Sequence, residues 1–302
     1  MGAPFFLYAE EELMFDIGIF APFGADHDRN IAYCRDAGAS HIVLSTGNIS
    51  SDDAPAADAL KTLADQYAAA EVVLAGLTPP RLSLDACVDD AARTHEVGYM
   101  RRLIENMGHA QIPFVHFYLS ANAAPTDPDE RQQHWQGLVG VFRELGQIGE
   151  DAGVRISTHT FHVPDRLIWN RETFSSLMAA TNSPAHGLTF CQGKSQMAGD
   201  SLPEVIRHFG DKVFMVHVRD IATKAQGPST PEIEQRLADL GYLEVPFGTG
   251  EVDMVGTIRA LKEISYKGQI YPEHFPAIAG DRAAGLAWTI GYIRALDQAV
   301  VV

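Results

Sequence analysis

Only three cysteines occur in the 302 residues, Cys34, Cys87 and Cys191, and no two are spaced as a CxxC pair. So odd and scattered a set excludes a disulfide framework and fits a reducing, cytoplasmic setting. No apolar run approaches the roughly 18 residues that cross a bilayer, so no membrane partner is expected. Basic residues are scarce: 23 Lys and Arg stand against 39 Asp and Glu, for a net charge of −16. Phosphate neutralisation needs clustered Lys and Arg, and no such run exists, which excludes nucleic acid. No GxGxxG or Walker sequence is present to cradle a nucleotide. The opening MGAPFFLYAEEEL lacks a basic n-region and is not a secretory signal. Met14 is the expected start of the fold, with residues 1–13 a loose N-terminal extension.

Apolar residues, by contrast, make up 46% of the chain, enough to bury the core of one large α/β domain. Strand-like runs fall at 15–21, 41–45, 71–76, 112–119, 154–159, 187–191, 212–218 and 268–274. They are near-continuous rather than alternating, as in strands buried on both faces. Helical spacing separates them. It is clearest at 129–151, where Trp135, Leu138, Val139, Phe142 and Leu145 share a stripe between the start signal Pro128 and the stop signal Gly153. A second stretch spans 253–264, and Leu286, Ile290 and Ile293 mark the last helix. Strand and helix alternating eight times predicts a single (β/α)8 TIM barrel over 14–302. One connection is long. The segment 220–250 is expected to form a lid or a subunit contact, with a short helix at PEIEQRLADL, and it leaves homo-oligomerisation open.

Four consecutive strand-like runs end on a residue that can ligate a metal: His159, Cys191, His217 and Glu273. Singly, each has an ordinary explanation, since a strand-end His is usually hydrogen-bonded and a lone Cys is usually a small buried hydrophobe. Together, at the end of a barrel where catalytic groups collect, they predict one divalent ion. The soft thiolate alone suggests Fe²⁺ or Zn²⁺. Arg219, two residues past His217, has the planar fork to capture a substrate carboxylate. His274 follows Glu273 and suits general acid or base work. His116 and His162 are weaker candidates for substrate contact. His186, before the sixth strand, is read as structural.

The stretch GLTFCQG…LPEVIRHFGDKVFMVHVRD, with GVRISTH before it and YPEH after it, resembles the D-mannonate dehydratases of the xylose-isomerase-like barrel superfamily. GTGEVDM is similar to the segment that opens that family's next helix. The resemblance covers roughly 150–275. It implies Mn²⁺ ligation by His159, Cys191 and His217, with Glu273 standing where the family has Asp. It also implies a catalytic role for His274 and a substrate-facing Arg219. The implied activity is conversion of a sugar acid, D-mannonate, to 2-keto-3-deoxy-D-gluconate through a metal-stabilised enediolate and loss of the C3 hydroxyl. The chain departs from the pattern in places: Phe275 and Pro276 follow His274, and Asp281 occupies the position of the family's catalytic Tyr. Two rival expectations therefore stand beside dehydration. One is a sugar or sugar-acid isomerase or epimerase, and the other is a non-catalytic barrel that binds a sugar acid.

Overall fold

The computed structural model describes residues 15–24, 26–47, 54–225, 227 and 230–302. The expected extension 1–13 lies outside them. The strands are β1 (Asp16–Pro22), β2 (His41–Ser45), β3 (Val73–Thr78), β4 (Phe114–Tyr118), β5 (Arg155–His159), β6 (His186–Cys191), β7 (Val213–Val218), β8 (Asp220–Ala222), β9 (Leu243–Val245) and β10 (Gln269–Pro272). Eight of them close into a parallel barrel in the order β1-β10-β7-β6-β5-β4-β3-β2. The other two, β8 and β9, form a small antiparallel ribbon inside the 220–250 excursion. Among the described residues, no helix is long and apolar enough to cross a membrane.

The helices are α1 (His27–Asp36), α2 (Ala57–Ala69), α3 (Asp90–His109), α4 (Pro128–Ala152), α5 (Arg171–Thr181), α6 (Gln192–Met197), α7 (Leu202–Phe209), α8 (Pro231–Leu240), α9 (Met254–Glu263) and α10 (Arg282–Ala299). The ends of α4 show why these residues are helical. The Asp127 carboxylate accepts from the N–H groups of Asp129 and Glu130, Pro128 fills a first-turn position that needs no donor, and Gly153 closes the helix at φ 69°. Its stripe of Leu138, Phe142 and Leu145 is buried against the barrel. The helix of the excursion covers PEIEQRLADL, as its spacing predicts.

Inside the cylinder, Val43, Ala75, Phe114, Met215 and Tyr271 form a packed layer with Phe20 against it. Gly18 makes this possible, since a Cβ there would lie 2.1 Å from the Tyr271 ring. Residues two further along the same strands face the same interior, one step nearer the mouth. Thus Met215 is followed by His217, and Tyr271 by Glu273. Pairing sets Cys191 level with His217 and Tyr118 level with His159.

Most strand boundaries shift by one or two residues from expectation, and two of the shifts have a visible backbone cause. β3 begins at Val73 because Glu71 has a left-handed backbone at φ 60°, which no strand admits. β10 stops at Pro272, and His274 also turns left-handed at φ 51°. Glu273 and His274 therefore leave the ladder and bend over the mouth, with only the Glu273 N–H still donating to Val218 O at 2.9 Å.

His186 lies far from the mouth, fully buried, with Nε2 3.0 Å from Thr158 Oγ1 and Nδ1 3.3 Å from Thr181 Oγ1. Burial, with help from Lys212, pushes its pKa down to about 3. The fold therefore favours the neutral ring. Its contribution is complete above the unfolded value near 6.5 and is lost as pH falls below it, at about 1.4 kcal/mol per pH unit for one proton. Denaturant titrations between pH 7 and 5 should show a shallower acid slope for His186→Gln than for wild type. Equal slopes would mean that another group carries the proton uptake.

Candidate metal centre

His159, Cys191, His217 and Glu273 each offer one ligand atom, and all four atoms lie within 4.8 Å of one another. They come from the ends of β5, β6, β7 and β10, so neighbouring strands supply all of them. The three on strands are buried and Glu273 is partly so. Cys191 Sγ is 3.5 Å from Glu273 Oε2, and His217 Nδ1 is 3.4 Å from the same oxygen.

The donor chemistry fits a divalent cation. His159 Nδ1 donates to the Thr160 carbonyl at 2.6 Å, which places its proton there and leaves Nε2 with a lone pair. That Nε2 is buried and finds no hydrogen-bond partner among the described residues, and neither nitrogen of His217 is well aligned with one. Unmet buried acceptors converging with a thiol and a carboxylate are costly unless a cation satisfies them. Burial holds His159 down at about 4, with Arg219 adding to the effect, so the ring is neutral as a ligand must be. Burial pushes the Glu273 carboxyl upward, but His217, His274 and His159 outweigh it and hold the group well below the usual carboxylate range.

A cleft of about 1070 Å³ opens beside the cluster, lined among others by Phe20, Tyr118, Arg236, Glu244, Glu273 and His274. His274 stands at its edge, 48% exposed, with Nε2 3.3 Å from Glu273 Oε1 and Nδ1 3.0 Å from Glu244 Oε1. Hydrogen bonds to Glu244 and then Glu273 push its pKa up to about 9. Arg219 is 1% exposed; its Nη1 reaches Glu244 Oε1 at 3.3 Å, while Nε and Nη2 have no hydrogen-bond partner among the described residues. Its stem passes over Gly193, where a Cβ would lie 2.3 Å from Nε.

The weaker candidates sit to either side. His116 is fully buried, its Nδ1 on Thr78 Oγ1 at 3.1 Å and its ring 4.8 Å from that of His217. It packs behind the ligands and is not a cleft-lining residue. His162 lies 3.0 Å from Lys194 Nζ, and burial with the Lys194 and Arg219 charges lowers it to about 4. Asp281 caps α10, accepting from the N–H groups of Ala283 and Ala284.

Sequence reasoning missed Glu244 and Lys194. Glu244 is one acid among 39 and carries no local motif. Lys194, three residues past Cys191 in the first turn of α6, could have been found from its place beside a ligand.

Residues 29–296 match the family described as xylose isomerase-like TIM barrel. The mannonate dehydratase of Oceanobacillus iheyensis is 33% identical over 188 residues, covering 56% of this chain and 50% of that protein. The mannonate dehydratase of Thermotoga maritima is 26% identical over 188 residues, covering 56% and 49%. The chain thus spans about half the length of the curated relatives it matches. Among solved structures, the mannonate dehydratase of Streptococcus suis superposes with a TM-score of 0.74 at 16% identity, covering 94% of each chain. An L-ribulose 3-epimerase superposes at 0.72 and 18% identity, covering 94% of this chain and 95% of that one. At such identities these likenesses speak to the fold alone. The match over 29–296, together with the closed eight-stranded barrel, places this chain in the xylose isomerase-like TIM barrel family.

Proposed function

We propose that this protein is a metal-dependent sugar-acid dehydratase acting on D-mannonate or a related aldonate. The observation that carries the reading is the convergence of His159, Cys191, His217 and Glu273 beside an Arg219 whose Nε and Nη2 have no hydrogen-bond partner among the described residues. The mannonate dehydratases similar to this chain supply the substrate class. His159, Cys191, His217 and Glu273 would hold the ion, Mn²⁺ by family likeness, with Fe²⁺ or Zn²⁺ compatible with the thiolate. When bound, the ion supplies positive charge against the anion that forms as the proton α to the carboxylate leaves.

The chain's own groups do the rest. Arg219 offers the fork of its guanidinium to the substrate carboxylate. His274, on the cleft edge, moves the proton, and Phe20 and Tyr118 wall the cleft from the barrel side. Incubating Mn²⁺-loaded protein with D-mannonate and a panel of aldonates should release 2-keto-3-deoxy acids. No product from any member would sink the dehydratase reading.

A second reading, epimerisation or isomerisation of a sugar without loss of water, is favoured by one observation. Asp281 spends its carboxylate on a helix cap, which leaves that position without a proton donor for a departing hydroxyl. Solvent deuterium entering a sugar with no dehydration would select it.

Arg219→Lys separates the binding role from simple charge. A point charge cannot replace a fork, and losing charge-assisted hydrogen bonds of about 1.5–3 kcal/mol raises KM roughly 10–100-fold. Metal content stays at the wild-type level. An unchanged KM for the acid would remove Arg219 from substrate binding.

A further inference from the structure

Within the 220–250 excursion, β9 places a side chain, Glu244, beside His274 at the edge of the cleft. Glu244 sits in the middle of β9, 13% exposed, and takes three cationic partners: His274 Nδ1 at 3.0 Å, Arg236 Nη2 at 2.9 Å and Arg219 Nη1 at 3.3 Å. The ribbon that carries it is pinned from below. The buried Asp220 carboxylate accepts from the N–H groups of Ile221, Gly248, Gly250 and Val252, tying both ends of the excursion to one point. Gly250 is obligatory there, since a Cβ would lie 2.0 Å from Asp220 Oδ1.

His274 shows the other half of the arrangement. Its backbone is left-handed at φ 51°, a conformation that non-glycine residues hold only where the surroundings over-determine it. The turn swings the ring away from the barrel wall and onto Glu244. A carboxylate on one imidazole nitrogen fixes the ring's orientation, the logic shared by nucleophile–base–orienter triads, while the opposite nitrogen faces Glu273 Oε1 at 3.3 Å where the cleft opens.

We infer that Glu244 is the positioning residue of His274: it holds the Nδ1–H edge of the ring and aims Nε2 into the cleft beside Glu273. Ion pairs to Arg219 and Arg236 hold the Glu244 carboxylate in place, and the Asp220 staple fixes the strand that presents it. The excursion is thereby a wall of the catalytic centre at its base. The inference rests on the reading of His274 as the group that moves the proton.

Two measurements, only one of which needs turnover, test it. In protein labelled with ¹⁵N-histidine, the Nδ1–H signal assigned by its loss in His274→Asn should be present in wild type and in Glu244→Asp. In Glu244→Gln it should shift and broaden. With a substrate in hand, Glu244→Gln should lower kcat roughly 100-fold with KM within about threefold, and Glu244→Asp should recover at least a tenth of the loss. An unchanged His274 signal in Glu244→Gln would overturn the positioning role whether or not a substrate is found. So would a loss in KM alone. If the signal responds as expected but no sugar or sugar acid is turned over, the positioning stands and the proposed activity falls.

Discussion

Cys191→Ser is expected to lose the metal while keeping the fold. The thiol is fully buried, 3.5 Å from Glu273 Oε2, and is the only sulfur among the four converging atoms. Serine changes little in volume, so packing around the end of β6 survives. The chemistry does not, because a neutral hydroxyl replaces a thiolate and the charge facing the dication falls from two to one. Changes one shell further out already cost roughly 10–100-fold in metal affinity, and a direct ligand should cost at least as much. Elemental analysis after dialysis against buffered metal measures this directly, with thermal unfolding as the control for folding. Cys34→Ser and Cys87→Ser provide the contrast. Both thiols are buried away from the cluster, and burial pushes them up to about 11 and about 12, so neither presents a thiolate. Wild-type metal occupancy in Cys191→Ser would remove the thiolate from the ligand set.

The barrel and its four converging side chains are legible in the chain for one physical reason. Parallel strands buried on both faces must be apolar almost throughout, so a His, Cys or Glu that interrupts the pattern at a strand's end stands out. His159, Cys191 and His217 lie on the strands where the apolar runs place them. What was illegible is what the loops bring. Glu244 reaches His274 across 30 positions through a three-residue strand that exists only because it pairs with Asp220–Ala222. Nothing in LEV distinguishes it from a surface segment. The left-handed turn at His274 is equally hidden, because His is not a residue that demands positive φ. His116 shows the converse limit: a histidine on an apolar strand can face the interior without reaching the cleft, and the side of a barrel layer on which it falls depends on stagger.

Removing the His274 side chain is expected to have the largest kinetic effect with the smallest structural one. The ring is 48% exposed, so its loss opens no internal cavity, and none of the four converging ligand atoms belongs to it. Backbone strain decides which variant is informative. At φ 51° alanine keeps the strain, whereas asparagine tolerates the left-handed region. His274→Asn therefore removes the imidazole while retaining the turn that carries Glu273 and His274 over the mouth. If His274 transfers the proton, both His274→Ala and His274→Asn should lower kcat by about 10²–10⁴-fold, the range of general acid–base catalysis. Metal content and melting temperature should stay at wild-type values, which separates this loss from that of Cys191→Ser. Agreement between the two variants would assign the loss to the ring. A His274→Asn enzyme with wild-type kcat, beside an impaired His274→Ala, would instead assign it to the backbone, and the proton would have to move through another cleft group, with the Tyr118 hydroxyl and the Glu244 carboxylate as the groups at hand.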